Sequence, residues 1–179
     1  MHVNLSDYKN ISLIGFMGSG KTTVGKILAE KLDFLFIDID RVIELKDGRK
    51  ISDIFRIYGE DYFRKLETEV IKKIYKNKNC VFACGGGVIE RKENVKVIKE
   101  NSFVVYLSIS PAVAIKRLKD VTDRPLIEVQ NREKTIKEMI IKRDSLYRES
   151  AHLIINNDNI GPDKASEEIL KRFLSSKTV

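Results

Sequence analysis

One octapeptide constrains this chain more than anything else in it. Gly15-Phe-Met-Gly-Ser-Gly-Lys-Thr22 fills every fixed position of the pattern GxxxxGK[ST]. Ile11-Ser-Leu-Ile14 before it reads as a short apolar strand, and Val24, Ile27, Leu28 and Leu32 after it recur at helical spacing. A strand, a Gly-rich turn and a helix in that order form a phosphate cradle. The glycines let backbone N–H groups turn inward where a Cβ would block them, and the helix adds its positive N-terminal end. Gly15, Gly18, Ser19, Gly20, Lys21, Thr22 and Thr23 are therefore candidate nucleotide-binding residues. Lys21 is placed to neutralise the β- and γ-phosphates, and Thr22 to ligate Mg²⁺ through its hydroxyl. The signal implies nucleotide binding and leaves kinase, ATPase and GTPase open.

The rest of the 179-residue sequence repeats the same alternation, on the scale of one domain. Phe34–Ile37, Cys80–Ala83, Phe103–Leu107 and Leu153–Ile155 read as strands. Helices are expected over most of Arg41–Asn77, around Lys92–Lys99, after the Ser110-Pro111 cap, over Lys134–Ser150 and from Pro162 to about Ser175. Short strands alternating with helices predict a three-layer α/β fold, a five-stranded parallel sheet with helices on both faces. Ligands in such sheets bind beyond the carboxyl ends of the strands. Three strands end in chemically loaded residues: the Gly-rich loop, Asp38-Ile-Asp40 and Gly85-Gly86-Gly87. Asp38 and Asp40, two apart at a strand end, are expected to project to the same side, with a helix cap as the other use of such an Asp. Three glycines in an apolar passage point to a ligand approaching the backbone closely, or to a plain tight turn. The polar segment Lys119–Glu133, broken at Pro125, reads as a mobile excursion.

Several classes are excluded. No Asn-Lys-x-Asp tetrapeptide is present for guanine, and Phe34-Leu-Phe-Ile-Asp38 follows the first helix too early for the larger ATPases. No apolar run approaches the roughly 20 residues that span a bilayer, so no membrane partner is expected. The polar N-terminus lacks a signal-peptide core, and a cytoplasmic location is expected. The net charge of +7 raises nucleic acid as a partner, but the lysines are scattered without aromatic interleaving, so none is expected. Cys80 and Cys84 fit neither redox nor zinc spacing and read as buried structural thiols. His2 and His152 match no functional pattern.

The phosphate loop, Asp38-Ile-Asp40, Gly59-Glu-Asp-Tyr-Phe-Arg64-Lys-Leu-Glu67, Gly85-Gly-Gly87, Arg124-Pro-Leu and Lys142-Arg143-Asp-Ser-Leu-Tyr147 occur in the order found in shikimate kinases. The chain resembles that family over about Ile11 to Pro162. The resemblance implies a single P-loop kinase domain with an acceptor-binding insertion at about 41–77 and a lid at about 119–133. It implies transfer of the γ-phosphate of Mg-ATP to the 3-hydroxyl of shikimate. Arg64 and Arg143 then match the carboxylate clamp, Asp38 the Mg²⁺ shell and Asp40 the orienter and general base. Gly85, Gly86 and Gly87 match the acceptor-facing backbone, with Gly86 and Gly87 the closest. Arg124 matches the lid arginine, and Arg117 and Pro162 the positions flanking adenine.

The residues support Arg143 separately, because Ile136, Met139, Ile140, Arg143 and Tyr147 form one helical stripe, and a buried Arg must be paired. Glu67, one turn after Arg64, is either its support or an ordinary surface pair. Cys84 departs from the small residues common before the triplet, and Asp120 and Asp123 make the lid unusually acidic. A kinase of another small acid such as gluconate is the alternative, and a monomer is expected.

Overall fold

The computed structural model describes residues 8–121, 125–127 and 129–175. Five strands run parallel in the order β2-β3-β1-β4-β5: β1 Ile11–Ile14, β2 Leu35–Asp38, β3 Cys80–Ala83, β4 Phe103–Ser108 and β5 Leu153–Asn156. Seven α-helices are described: α1 Lys21–Leu32, α2 Ile39–Asp47, α3 Ile51–Ile74, α4 Lys92–Asn101, α5 Pro111–Leu118, α6 Arg132–Ser150 and α7 Pro162–Ser175. The expected three-layer α/β architecture is present.

The central strands read as continuous apolar runs because both of their faces are covered. In β4, Phe103, Val105 and Leu107 pack with Val24 and Leu28 of α1 and Ile169 and Phe173 of α7. Val104 and Tyr106 face the other way, toward Phe63 and Val70 of α3 and Tyr147 of α6. Cys80 and Cys84 are buried free thiols, and burial pushes Cys84 up to about 12, which keeps it protonated and inert.

The structure refines the expected helical stretch in two ways. It is split into α2 and α3, and α3 is kinked at Gly59 (φ 78°, ψ 175°). Asp38 and Asp40 do not share a strand. Asp38 ends β2 and caps α2, its side chain accepting from the Arg41 N–H at 3.4 Å, while Asp40 lies in the first helical turn. Helical rather than strand geometry therefore sets their relation. Within 119–133, Ile127 is fully buried against Phe16, Ile136 and Ile140.

His152 joins β4 to β5. Its Nδ1 accepts the Val104 N–H at 2.9 Å and its own backbone N–H donates to Val104 O at 2.8 Å. An accepting Nδ1 requires a neutral ring, and burial, aided by Lys99, lowers the pKa below the ordinary 6.5. With the folded value depressed, this stabilisation is present above the unfolded pKa and lost as pH falls through the folded one. His152→Asn keeps an acceptor and cannot titrate. Its melting temperature should fall less than that of the parent between about pH 7 and 5. Parallel profiles in a thermal melt series would refute the assignment.

Candidate active site

The carboxyl ends of β2, β3 and β1 lie level with one another, since Asp38 pairs in register with Ala83 and Ala83 with Leu13. The three loaded loops consequently open into one cavity of about 910 Å³. It is lined by Gly18, Gly20, Lys21, Thr22, Thr23, Asp38, Asp40, Arg64, Glu67, Gly85, Gly86, Gly87, Arg117, Arg143 and Pro162. Gly15 and Ser19 do not line it and instead shape the loop behind. Gly15 adopts φ 145°, and a Cβ there would meet Leu107 O at 2.5 Å. Ser19 is fully buried. Arg124 lies outside the described residues, as does Asp123.

Lys21 opens α1 and folds back over the loop, donating from Nζ to Gly15 O at 2.8 Å and Phe16 O at 3.0 Å. The Thr22 hydroxyl donates to Asp38 Oδ2 at 3.1 Å, so a hydroxyl and a carboxylate stand side by side at the loop's edge. Arg117, expected to flank adenine, is pinned by the carbonyls of Gly18 (3.1 Å), Asn157 (2.7 Å) and Asp158 (3.0 Å). Asn157 also donates to Ser19 O at 2.8 Å. The sequence reading missed Asn157. Its signal was the polar run Asn156-Asn157-Asp158-Asn159 just beyond a strand's carboxyl end.

The other half of the cavity is built on buried charge. Arg143 emerges inward from α6, 4% exposed, and Arg64 from α3, 6% exposed. Arg64 Nη1 donates to Glu67 Oε2 at 3.0 Å, and Glu67 is fully buried, so it supports Arg64 and is no surface pair. Burial opposes the Arg64 charge, but Glu67 and Glu60 outweigh it and raise its pKa. Burial pushes Glu67 up to about 7; Arg64 opposes this, and Asp40 and Glu90 add to it. Glu90, another residue the sequence reading missed, accepts from Arg143 Nε and Nη2 and from Arg64 Nη2. The requirement that a buried Arg be paired pointed to some such partner.

The glycine triplet carries three different loads. A Cβ on Gly85 would lie 2.7 Å from Asp40 Oδ1 and 3.1 Å from Glu67 Oε1, so these carboxylates crowd that residue. At Gly87 a Cβ would lie 2.0 Å from Arg64 Nη2, which means the guanidinium fills the space a side chain would take. Gly86 is the least crowded; its carbonyl accepts from the Tyr147 hydroxyl. Close approach by protein side chains, and not only by a ligand, thus requires glycine at the two outer positions.

A sequence profile described as shikimate kinase matches residues 17–174. The chain belongs to the shikimate kinase family. Among the family, the shikimate kinase of Thermodesulfovibrio yellowstonii is 47% identical over 165 residues, spanning 92% of this chain and 95% of that protein. The enzyme of a Sulfurihydrogenibium species is 48% identical over 165 residues, spanning 92% and 98%. A solved shikimate kinase from Acinetobacter baumannii, in complex with shikimate, superposes with a TM-score of 0.93 at 38% identity over 98% of each chain. The five-stranded parallel sheet seen here is thus part of a fold shared with that solved enzyme.

Proposed function

We propose that this cavity transfers the γ-phosphate of ATP to the 3-hydroxyl of shikimate, giving shikimate 3-phosphate and ADP. The observation that carries the reading is the placing of two buried guanidiniums, Arg64 and Arg143, in the same cavity as the phosphate loop. A phosphate cradle at one end and a planar, carboxylate-matching fork at the other suit an acidic acceptor held against ATP. Family membership favours shikimate over gluconate.

In this reading Lys21 leaves the loop carbonyls and meets the β- and γ-phosphates, assisted by the inward N–H groups of the loop. Arg117 and Pro162 flank the adenine ring. Thr22 and Asp38 would hold magnesium, since adjacent hydroxyl and carboxylate oxygens suit a hard cation. Held there, magnesium would supply positive charge against the phosphates. Asp40 orients the acceptor hydroxyl and accepts its proton, at a position where Gly85 leaves room for its carboxylate. Gly86 offers backbone to the acceptor ring, and Glu67 keeps Arg64 aimed at the acceptor's carboxylate. Arg124 supplies positive charge as the phosphoryl group leaves.

The test is ADP release in the presence of shikimate, quinate, gluconate or nucleosides. Shikimate should drive turnover well above the rest. Faster turnover with gluconate would overturn the acceptor, and ADP release indifferent to every acceptor would overturn the kinase reading. Arg143→Ala should raise the acceptor KM about ten- to a hundredfold, the size of one charge-assisted pair, and leave the ATP KM close to its parent value. Arg143→Lys should recover little, since a point charge lacks the fork. A variant that weakened ATP and spared the acceptor would show the clamp to be misassigned.

A further inference from the structure

The two clamp arginines already share a carboxylate. Glu90 Oε2 accepts from Arg143 Nη2 at 3.0 Å and Arg64 Nη2 at 3.3 Å, and Oε1 accepts from Arg143 Nε at 3.3 Å. This two-oxygen grip on one guanidinium, with a second guanidinium alongside, is the arrangement a ligand carboxylate would seek. Glu90 fills it incompletely. Arg143 Nη1 is buried and has no hydrogen-bond partner among the described residues, a costly condition for a charged donor.

Glu90 is also placed to leave. It ends the short 3₁₀ turn Val88–Glu90 directly after the glycine triplet. Its side chain is 29% exposed, against 5% for Arg143 and 7% for Arg64. It lines a recess of about 390 Å³ together with Glu60, Asp61, Arg64 and Arg91, on the far side of the arginines from the phosphate-loop cavity, which Glu90 does not line. The charges around the fork are two guanidiniums against the carboxyl groups of Glu60, Glu67 and Glu90. A further carboxylate arriving while Glu90 stayed in place would meet like charge at close range.

We propose that Glu90 is an internal competitor for the acceptor's carboxylate, occupying the Arg64–Arg143 fork and setting how tightly an acidic acceptor binds. This rests on reading Arg64 and Arg143 as the acceptor clamp. On binding, the acceptor takes the fork, including Arg143 Nη1, and Glu90 withdraws further into the recess it lines. Glu90 thus holds the buried arginines paired and sets the affinity of the site for any carboxylate.

The competitor role and a supporting role predict opposite signs. Glu90→Gln removes the charge, and Glu90→Ala removes the side chain. Under competition both should tighten shikimate binding in calorimetry about five- to twentyfold, the size expected for one charge removed beside a partly solvated site. The ATP KM should not move, and the rise in melting temperature on adding shikimate should be larger than in the parent. Shikimate methyl ester, which lacks the charge, should show no gain. Weaker or unchanged shikimate binding in both variants, or an equal gain with the ester, would overturn the proposal. Arg143→Ala separates the two readings. If it leaves shikimate binding untouched, the clamp and this inference fall together. If it weakens binding while the Glu90 variants fail to tighten it, only the inference falls.

Discussion

Lys21→Ala should lose at least about 10³-fold in turnover and still fold. The loss follows from removing a donor that tracks developing phosphate charge, where a single well-placed group is worth about 10²–10³ in rate, and from losing the neutralisation the phosphates need. The protein should remain folded because Lys21 bonds to carbonyls of a cavity-lining turn and contributes nothing to the apolar clusters on either side of the sheet. Circular dichroism and a thermal melt check the fold, and a coupled assay checks the rate. A folded variant with near-normal turnover would remove the basis for a phosphate loop here.

Asp38 and Asp40 should separate under substitution. Asp40→Asn is expected to cost about 10²–10⁴ in kcat, the range for a positioned general base. The lower end is favoured, because phosphoryl transfer depends chiefly on positioning and electrostatics. ATP and Mg²⁺ constants should hold. Asp38→Asn should instead shift the dependence on Mg²⁺ concentration, since Asn keeps one acceptor oxygen and loses the charge. It retains the bond that caps α2, so a collapse of that helix is not expected. Titrating ATP, Mg²⁺ and acceptor separately decides the matter. Matching profiles for the two variants, or full kcat in Asp40→Asn, would end the division of labour.

The readable parts of this site were those encoded locally. The phosphate loop announces itself because its glycines, lysine and threonine are contiguous and flanked by a strand and a helix. Arg143 could be placed inward because Ile136, Ile140 and Tyr147 fix the buried stripe of α6. The partners of these residues were not readable. Glu90 meets Arg143 across 53 residues, and Asn157 meets Ser19 across 138. Such pairs exist only once the sheet order brings the strand ends together, and no spacing rule within one element reports them. Asp38 and Asp40 both line the cavity as expected, but the geometry that relates them was misread for a similar reason. Alternation along β2 predicts a shared side for Asp38 and Asp40, but the chain changes from strand to helix between them. The triplet suggested only a ligand close to the backbone, and the fold showed that Asp40, Glu67 and Arg64 crowd Gly85 and Gly87.

The register of β1 against β3 has a mechanical consequence. The Gly-rich loop after β1 and the glycine triplet after β3 leave adjacent parallel strands at the same level, Leu13 beside Ala83. Their separation is therefore governed by a single interstrand gap of about 4.8 Å, braced on both faces by the apolar clusters. The kinked α3, which carries Arg64 to the cavity, can shift without lengthening the path between donor and acceptor. Mild urea or warming should then raise the acceptor KM well before it lowers kcat. The two substrates ride on one stiff beam, and only the wall around the acceptor gives.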